Sequence, residues 1–200
     1  LQIYCMMVVE VWEKVGKKQK HFKNKIVEML EIKGLKYISC GARPSGKRGG
    51  GAGMIVNMRK FSLDDLEVNV PHNLEAKWGI MRPKKGDNNS KYSLFIICSF
   101  YSPPSSKKHR KLLDHLVSTT HALLAKYPRA AVILGADKND LPLSPLLQAL
   151  PKFRQTVTRT THGNKTIDVL IMNCSDMYGV PEVGDPVLPD DPRQAKPSDH

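Results

Sequence analysis

Two hundred residues suit one domain large enough to bury a real core, and a hydrophobic share of 40% with 25% charged residues is ordinary globular composition. The sign of the charge is not ordinary: 31 Lys and Arg against 19 Asp and Glu give +12, an attraction for polyanions, nucleic acid before acidic membrane. No apolar run reaches the roughly 20 residues of a membrane span, and four cysteines at 5, 40, 98 and 174 without a close pair exclude a disulfide framework.

In chain order, Ile3 to Val11 has the apolar run of a strand. An amphipathic helix follows, with Phe22, Ile26, Met29 and Leu30 as its buried stripe and Gly34 as its stop. Tyr37 to Cys40 is a short strand and Arg43 to Gly53 a loop rich in Gly and basic residues. Beta patterning then covers Met54 to Met58, Leu66 to Val70 and Leu74 to Met81, and a turn at Asp87 to Ser90 leads to a central apolar strand, Tyr92 to Tyr101. Leu112, Leu113, Leu116, Val117, Leu123 and Leu124 recur at helical spacing up to Pro128. Ala130 to Leu134 is a buried strand, Gly135 to Asp140 a polar turn, Ser144 to Leu150 a short helix and Thr166 to Asn173 a last strand, before a tail rich in Pro and Asp. Such mixing without strict alternation predicts a layered α/β domain with mostly antiparallel strands.

The chemistry sits at strand ends. Asp137 and Asn139 follow one strand, Glu10 ends the first, Asp168 begins the last, and Asp199 and His200 close the chain. Oxygen ligands of this kind suit Mg²⁺, which takes one or two carboxylates and keeps its waters for a phosphate substrate. A carboxylate able to take a proton from water, beside a His, completes a phosphodiester-cleaving set. The plain alternative for Asp137 and Asn139 is an Asx turn that only folds the loop.

Several short motifs occur in order: Val8-Val-Glu-Val-Trp12, Arg48-Gly-Gly-Gly51, Phe100-Tyr-Ser-Pro103, Gly135-Ala-Asp-Lys-Asn-Asp140, Thr158-Arg159, Ile167-Asp-Val-Leu170 and Ser198-Asp-His200. Together they resemble the endonuclease/exonuclease/phosphatase superfamily, in particular the apurinic-type endonuclease domain of non-LTR (LINE-like) retrotransposons. The resemblance implies a four-layered α/β sandwich of two mostly antiparallel sheets, a single domain over 1–200 lacking its first and last strands. It implies Mg²⁺, with Mn²⁺ as a substitute, held by Glu10 and Asp199. Asp137 would position or deprotonate the attacking water, Asn139 hold the scissile phosphate, and Tyr101 contact the phosphate or the leaving oxygen. Asp168 would orient His200, which stabilises charge developing on the phosphate. Lys47, Arg48, Thr158 and Arg159 would contact DNA. The implied partners are DNA and a reverse transcriptase region of the same polyprotein, with no membrane, and the implied location is the nucleus. Two departures stand out: the strand that brings an Asn to the metal is missing, and Ala136 separates Gly135 from Asp137.

Other signals are weaker. Gly41-Ala-Arg-Pro-Ser-Gly-Lys-Arg48 nearly spells a P-loop but has Arg where a magnesium-binding hydroxyl belongs. His109, His115 and His121 are six apart, off one helix face, and so are no zinc site. Two rival functions remain, a phosphatase acting on lipid or inositol phosphates and an inactive remnant that only binds nucleic acid.

Overall fold

The computed structural model describes residues 4–9, 27–41, 50–66, 68–85, 91–179, 181, 182 and 184. Two sheets lie face to face. The smaller has the order β1-β3-β2, from β1 (Cys5–Val9), β2 (Leu35–Ser39) and β3 (Ala52–Asn57), all antiparallel. The larger has the order β4-β5-β6-β7-β9-β8, from β4 (Phe61–Asp65), β5 (Glu75–Pro83), β6 (Leu94–Tyr101), β7 (Ala130–Asp137), β8 (Arg154–Gln155) and β9 (Asp168–Met172). Among the described strands only β6 and β7 pair in parallel, and α2 (His109–Lys126) is the crossover between them. This is the α/β sandwich expected from the sequence.

Strand alternation gives the larger sheet two apolar faces. Trp78, Ile96, Leu134 and Ile171 meet Leu112, Leu116 and Leu123 of α2 and Leu146 of α3 (Ser144–Ala149). The opposite face meets the small sheet through Met54, Val56, Met81, Ile97, Ile133 and Met172. Gly135 lets β1 come close: a Cβ there would lie 2.5 Å from Met7 Sδ. Ser99 Oγ donates to Val8 O at 3.0 Å, a second tie between β1 and the same face.

Several expected elements move. The strand expected over Leu66 to Val70 is not formed at its described residues, 66 and 68–70, where Val68 N donates to Leu66 O and Val70 N to Val68 O. The strand lies earlier, at Phe61–Asp65. Gly135 to Asp137 belongs to β7 and not to a turn, because Gly135 and Ala136 continue its pairing with β6 and β9. The small sheet takes up Ala52 and Gly53. The first helix (α1) is described over 27–32, where Met29, expected in its buried stripe, is 61% exposed and Leu30 half-buried. Phe22 and Ile26 lie outside the described residues. Gly34 does end this helix, at φ +73°, with its N–H on Glu31 O.

Candidate active site

Three of the residues singled out in the sequence, Tyr101, Asp137 and Asp168, fall on one cross-strand row. Tyr101 of β6 is in register with Asp137 of β7, and Asp137 with Asp168 of β9. The row is the last of its face. Ser99 shows that this face looks toward β1, and Tyr101 shares it by alternation. Three side chains thus gather within two interstrand steps, roughly 10 Å, although 67 positions separate the first from the last.

Local chemistry fixes the row. Asp137 is 2% exposed, and its Oδ1 accepts the backbone N–H of Asn139 at 3.0 Å. That is the Asx turn weighed as the plain reading; it exists, and it holds the carboxylate at the rim. Asn139 takes φ +46°, a left-handed conformation Asn tolerates better than most residues. Its Nδ2 donates to Ser102 O at 2.9 Å, while Ser102 N donates to Asp137 O at 3.0 Å. The loops after β6 and β7 are therefore laced together. Asp140 extends the lacing: its Oδ2 accepts Ser105 N at 2.9 Å, and its Oδ1 lies 3.3 Å from His109 Nε2, close enough for an ion pair when the imidazole is protonated. On the third strand, Thr161 Oγ1 accepts the N–H groups of Ile167 and Asp168 at 3.1 and 3.0 Å and so aims the start of β9.

Thr158 and Arg159 are exposed on the connection from β8 to β9, a few residues before Asp168. Thr166 Oγ1 donates to Arg159 O at 2.8 Å and folds that connection back. Glu10, Lys47, Arg48, Asp199 and His200 lie outside the described residues, as does the near P-loop from Ala42 onward. Among the described residues, β1 reaches Val9, paired with Ala52.

Sequence reasoning missed Glu75. It begins β5 in register with Tyr101, adding a fourth member to the row, and its carboxylate accepts the N–H of Gly51, just before β3. The signal was present: a hairpin turning at Asp87 to Ser90 pairs positions whose numbers sum to about 176, and 75 with 101 is such a pair.

The donors are all oxygen: carboxylates, a carboxamide and a phenol. That set fits a hard divalent cation better than a soft one. Among the described residues, no group of three or more His, Cys, Asp and Glu stands ready to hold a metal. Cys98, buried completely, has its thiol pushed well up by desolvation, and Cys174 is raised to about 11 by burial, so both behave as core hydrophobes.

Among solved structures, the chain is similar to the human Nocturnin catalytic domain with bound sulfate, at 12% identity and a TM-score of 0.60, over 85% of this chain and 69% of that one. It is similar to the 3′ phosphatase NExo from Neisseria, solved with a product DNA hairpin, at 8% identity and a TM-score of 0.55, over 86% and 76%. A third similarity is to the endonuclease domain of TRAS1, a telomere-specific non-LTR retrotransposon, at 14% identity and a TM-score of 0.49, over 72% and 69%. At that TM-score the last likeness has no bearing on subtype. No family model matches the sequence, and no curated protein does. The fold, a two-sheet α/β sandwich, is the one these solved structures share with this chain.

Proposed function

We propose that this chain is a metal-dependent phosphodiester hydrolase that nicks DNA, of the kind non-LTR retrotransposons use beside a reverse transcriptase. The observation that carries the reading is the row Tyr101–Asp137–Asp168, three polar side chains brought into register at the rim of a face whose other end is apolar. The charge of +12 and the likeness to a fold solved with DNA product support a nucleic-acid substrate.

In this reading Asp137, pinned by the Asn139 amide, takes the proton of the attacking water. Asn139 presents its carboxamide to the phosphate, and Tyr101 offers its phenol to a phosphoryl or leaving oxygen. Asp168 orients His200, which meets charge growing on the phosphate in the transition state. Mg²⁺, held by Glu10 and Asp199, would polarise the phosphate and lower the cost of that charge. Thr158 and Arg159 stand on the rim connection, where a DNA backbone passing Asp168 would meet them, and Lys47 and Arg48 add backbone contacts.

The test is nicking of supercoiled plasmid. Magnesium should support it and chelation abolish it, and Asp137→Asn should slow it about a thousandfold, within the range for losing a general base, with melting temperature preserved. Nicking indifferent to chelation, or an Asp137→Asn protein as fast as the parent, would overturn the reading. Hydrolysis confined to small phosphomonoesters would replace it with a phosphatase.

A further inference from the structure

Beside the row lies a second feature that the chemistry above does not use. β4 pairs with β5 only from Gly79 to Pro83. Beyond Asp65 the chain leaves that pairing, and a cavity of 300 Å³ opens between Leu66, Val68 and Val70, the end of β2 and the stretch Glu75–Trp78. Leu66, Val68 and Val70 give it apolar walls and His72 a polar edge, while Ser39 Oγ and Cys40 Sγ on its lining already accept the N–H groups of Gly41 and Ala52. Glu75 belongs both to the cavity lining and to the row.

The lining discriminates between parts of a nucleotide. Its lysine, Lys77, already holds Asp65 at 2.8 Å, and the Glu75 carboxylate sits at its border, so a phosphate is disfavoured inside. A flat, uncharged group with apolar faces and a hydrogen-bonding edge matches what the walls offer. The volume is at the lower end for small-molecule sites, suited to one base with its sugar and not to a base pair. A phosphate at Tyr101 or Asp137 would be one to two interstrand steps from Glu75, roughly 5 to 10 Å, the reach of a single nucleotide.

We propose that this cavity is a nucleobase subsite, taking the base of a nucleotide whose phosphate lies on the Tyr101–Asp137–Asp168 row. The proposal rests on the reading of that row as a phosphate site. Such a subsite requires the nucleotide to leave its base pair, so the preferred substrate is single-stranded or locally opened DNA.

The experiment is calorimetric titration of the protein, with magnesium present, by a deoxynucleoside 5′-monophosphate and by deoxyribose 5-phosphate, which lacks the base. The base-bearing ligand should bind at least tenfold more tightly, the scale of one base contact. Val70→Trp, which fills the cavity, should erase that advantage and leave the binding of deoxyribose 5-phosphate unchanged. Val68→Phe serves the same purpose should Val70→Trp fail to melt cooperatively. Equal affinity for the two ligands overturns the subsite, as does an advantage that survives both fillings. A base-dependent advantage in a protein that nicks no plasmid would instead retire the hydrolase reading and leave the subsite standing.

Discussion

Two rows on the same face of the larger sheet lie four residues apart, about 13 Å along the strands, and differ in every member. Ile97, Ile133 and Met172 are in register across β6, β7 and β9, as are Tyr101, Asp137 and Asp168. The first row is 2–9% exposed and packs against Met54 and Val56 of the small sheet. In the second, Asp137 is just as buried at 2%, yet it is ionisable and held by a backbone N–H. Burying a carboxylate costs stability unless hydrogen bonds compensate. One row therefore lowers the energy of the fold, whereas the other uses the fold to hold polar groups where water alone would not leave them. Between them, Ser99, Gly135 and Leu170 form a mixed row where β1 makes its close approach. A cavity of 540 Å³, lined by Met7, Phe95, Ile133 and Met172, lies at the apolar end, so size of cavity does not mark the chemistry here.

The contrast breaks if the two rows respond alike to substitution. Ile133→Ala should destabilise by about 3 kcal/mol, the cost of a truncated core side chain, measured by urea unfolding. Nicking per folded molecule should hold within a few-fold. Asn139→Ala should do the reverse. It removes the bond to Ser102 and places Ala at φ +46°, and nicking should fall about a hundredfold, near 2.7 kcal/mol of transition-state energy. The stability loss should stay near 1 to 2 kcal/mol, read in the same melts. Gly135→Ala tests the mixed row. The new methyl would press on Met7 Sδ and Cε at 2.5 and 2.6 Å, which a flexible side chain relieves in part, so a loss of about 1 to 2 kcal/mol is expected.

The smallest effect belongs to the other face. His115 is buried, and its Nε2 accepts the Trp78 indole N–H at 3.2 Å, which requires the neutral ring. Desolvation lowers its pKa, so the folded state resists protonation while the unfolded chain takes up a proton near the ordinary histidine value of about 6.5. Stability should be indifferent to this group above that value and decline as pH falls below it toward the lower folded pKa. Melting temperatures between pH 8 and 5 should show a shallower acid-side slope in His115→Gln than in the parent. Equal slopes would remove His115 from the account.

Strand ends carried most of what the sequence could show. Asp137 and Asp168 were legible because each borders an apolar run, Tyr101 only through the resemblance that Phe100-Tyr-Ser-Pro103 helps to carry, and the sheet does the rest by register. Glu75 was hidden in the patterning of its strand, and only the arithmetic of the hairpin would have exposed it. Leu66 to Val70 alternates like a strand because Leu66, Val68 and Val70 do pack on the core, but alternation reports burial on one side and not pairing. Phe61–Asp65 was overlooked since its two carboxylates mask an edge strand, one whose Asp64 and Asp65 meet Arg82 and Lys77. Gly135 read as a turn because glycine commonly marks one, while here it makes room for Met7. Arg154–Gln155 is too short to leave a pattern.

The central claim is that the polar row, and not the apolar one four residues away, is where a divalent cation and a phosphate meet. Titrating Mn²⁺ into the isotopically labelled protein, with amide signals followed by NMR, tests it directly. The account predicts that paramagnetic broadening is strongest at Tyr101, Asp137, Asn139 and Asp168, is far weaker at Ile97, Ile133 and Met172, and is reversed by excess Mg²⁺. Broadening centred elsewhere, or none at cation concentrations that support nicking, would contradict it.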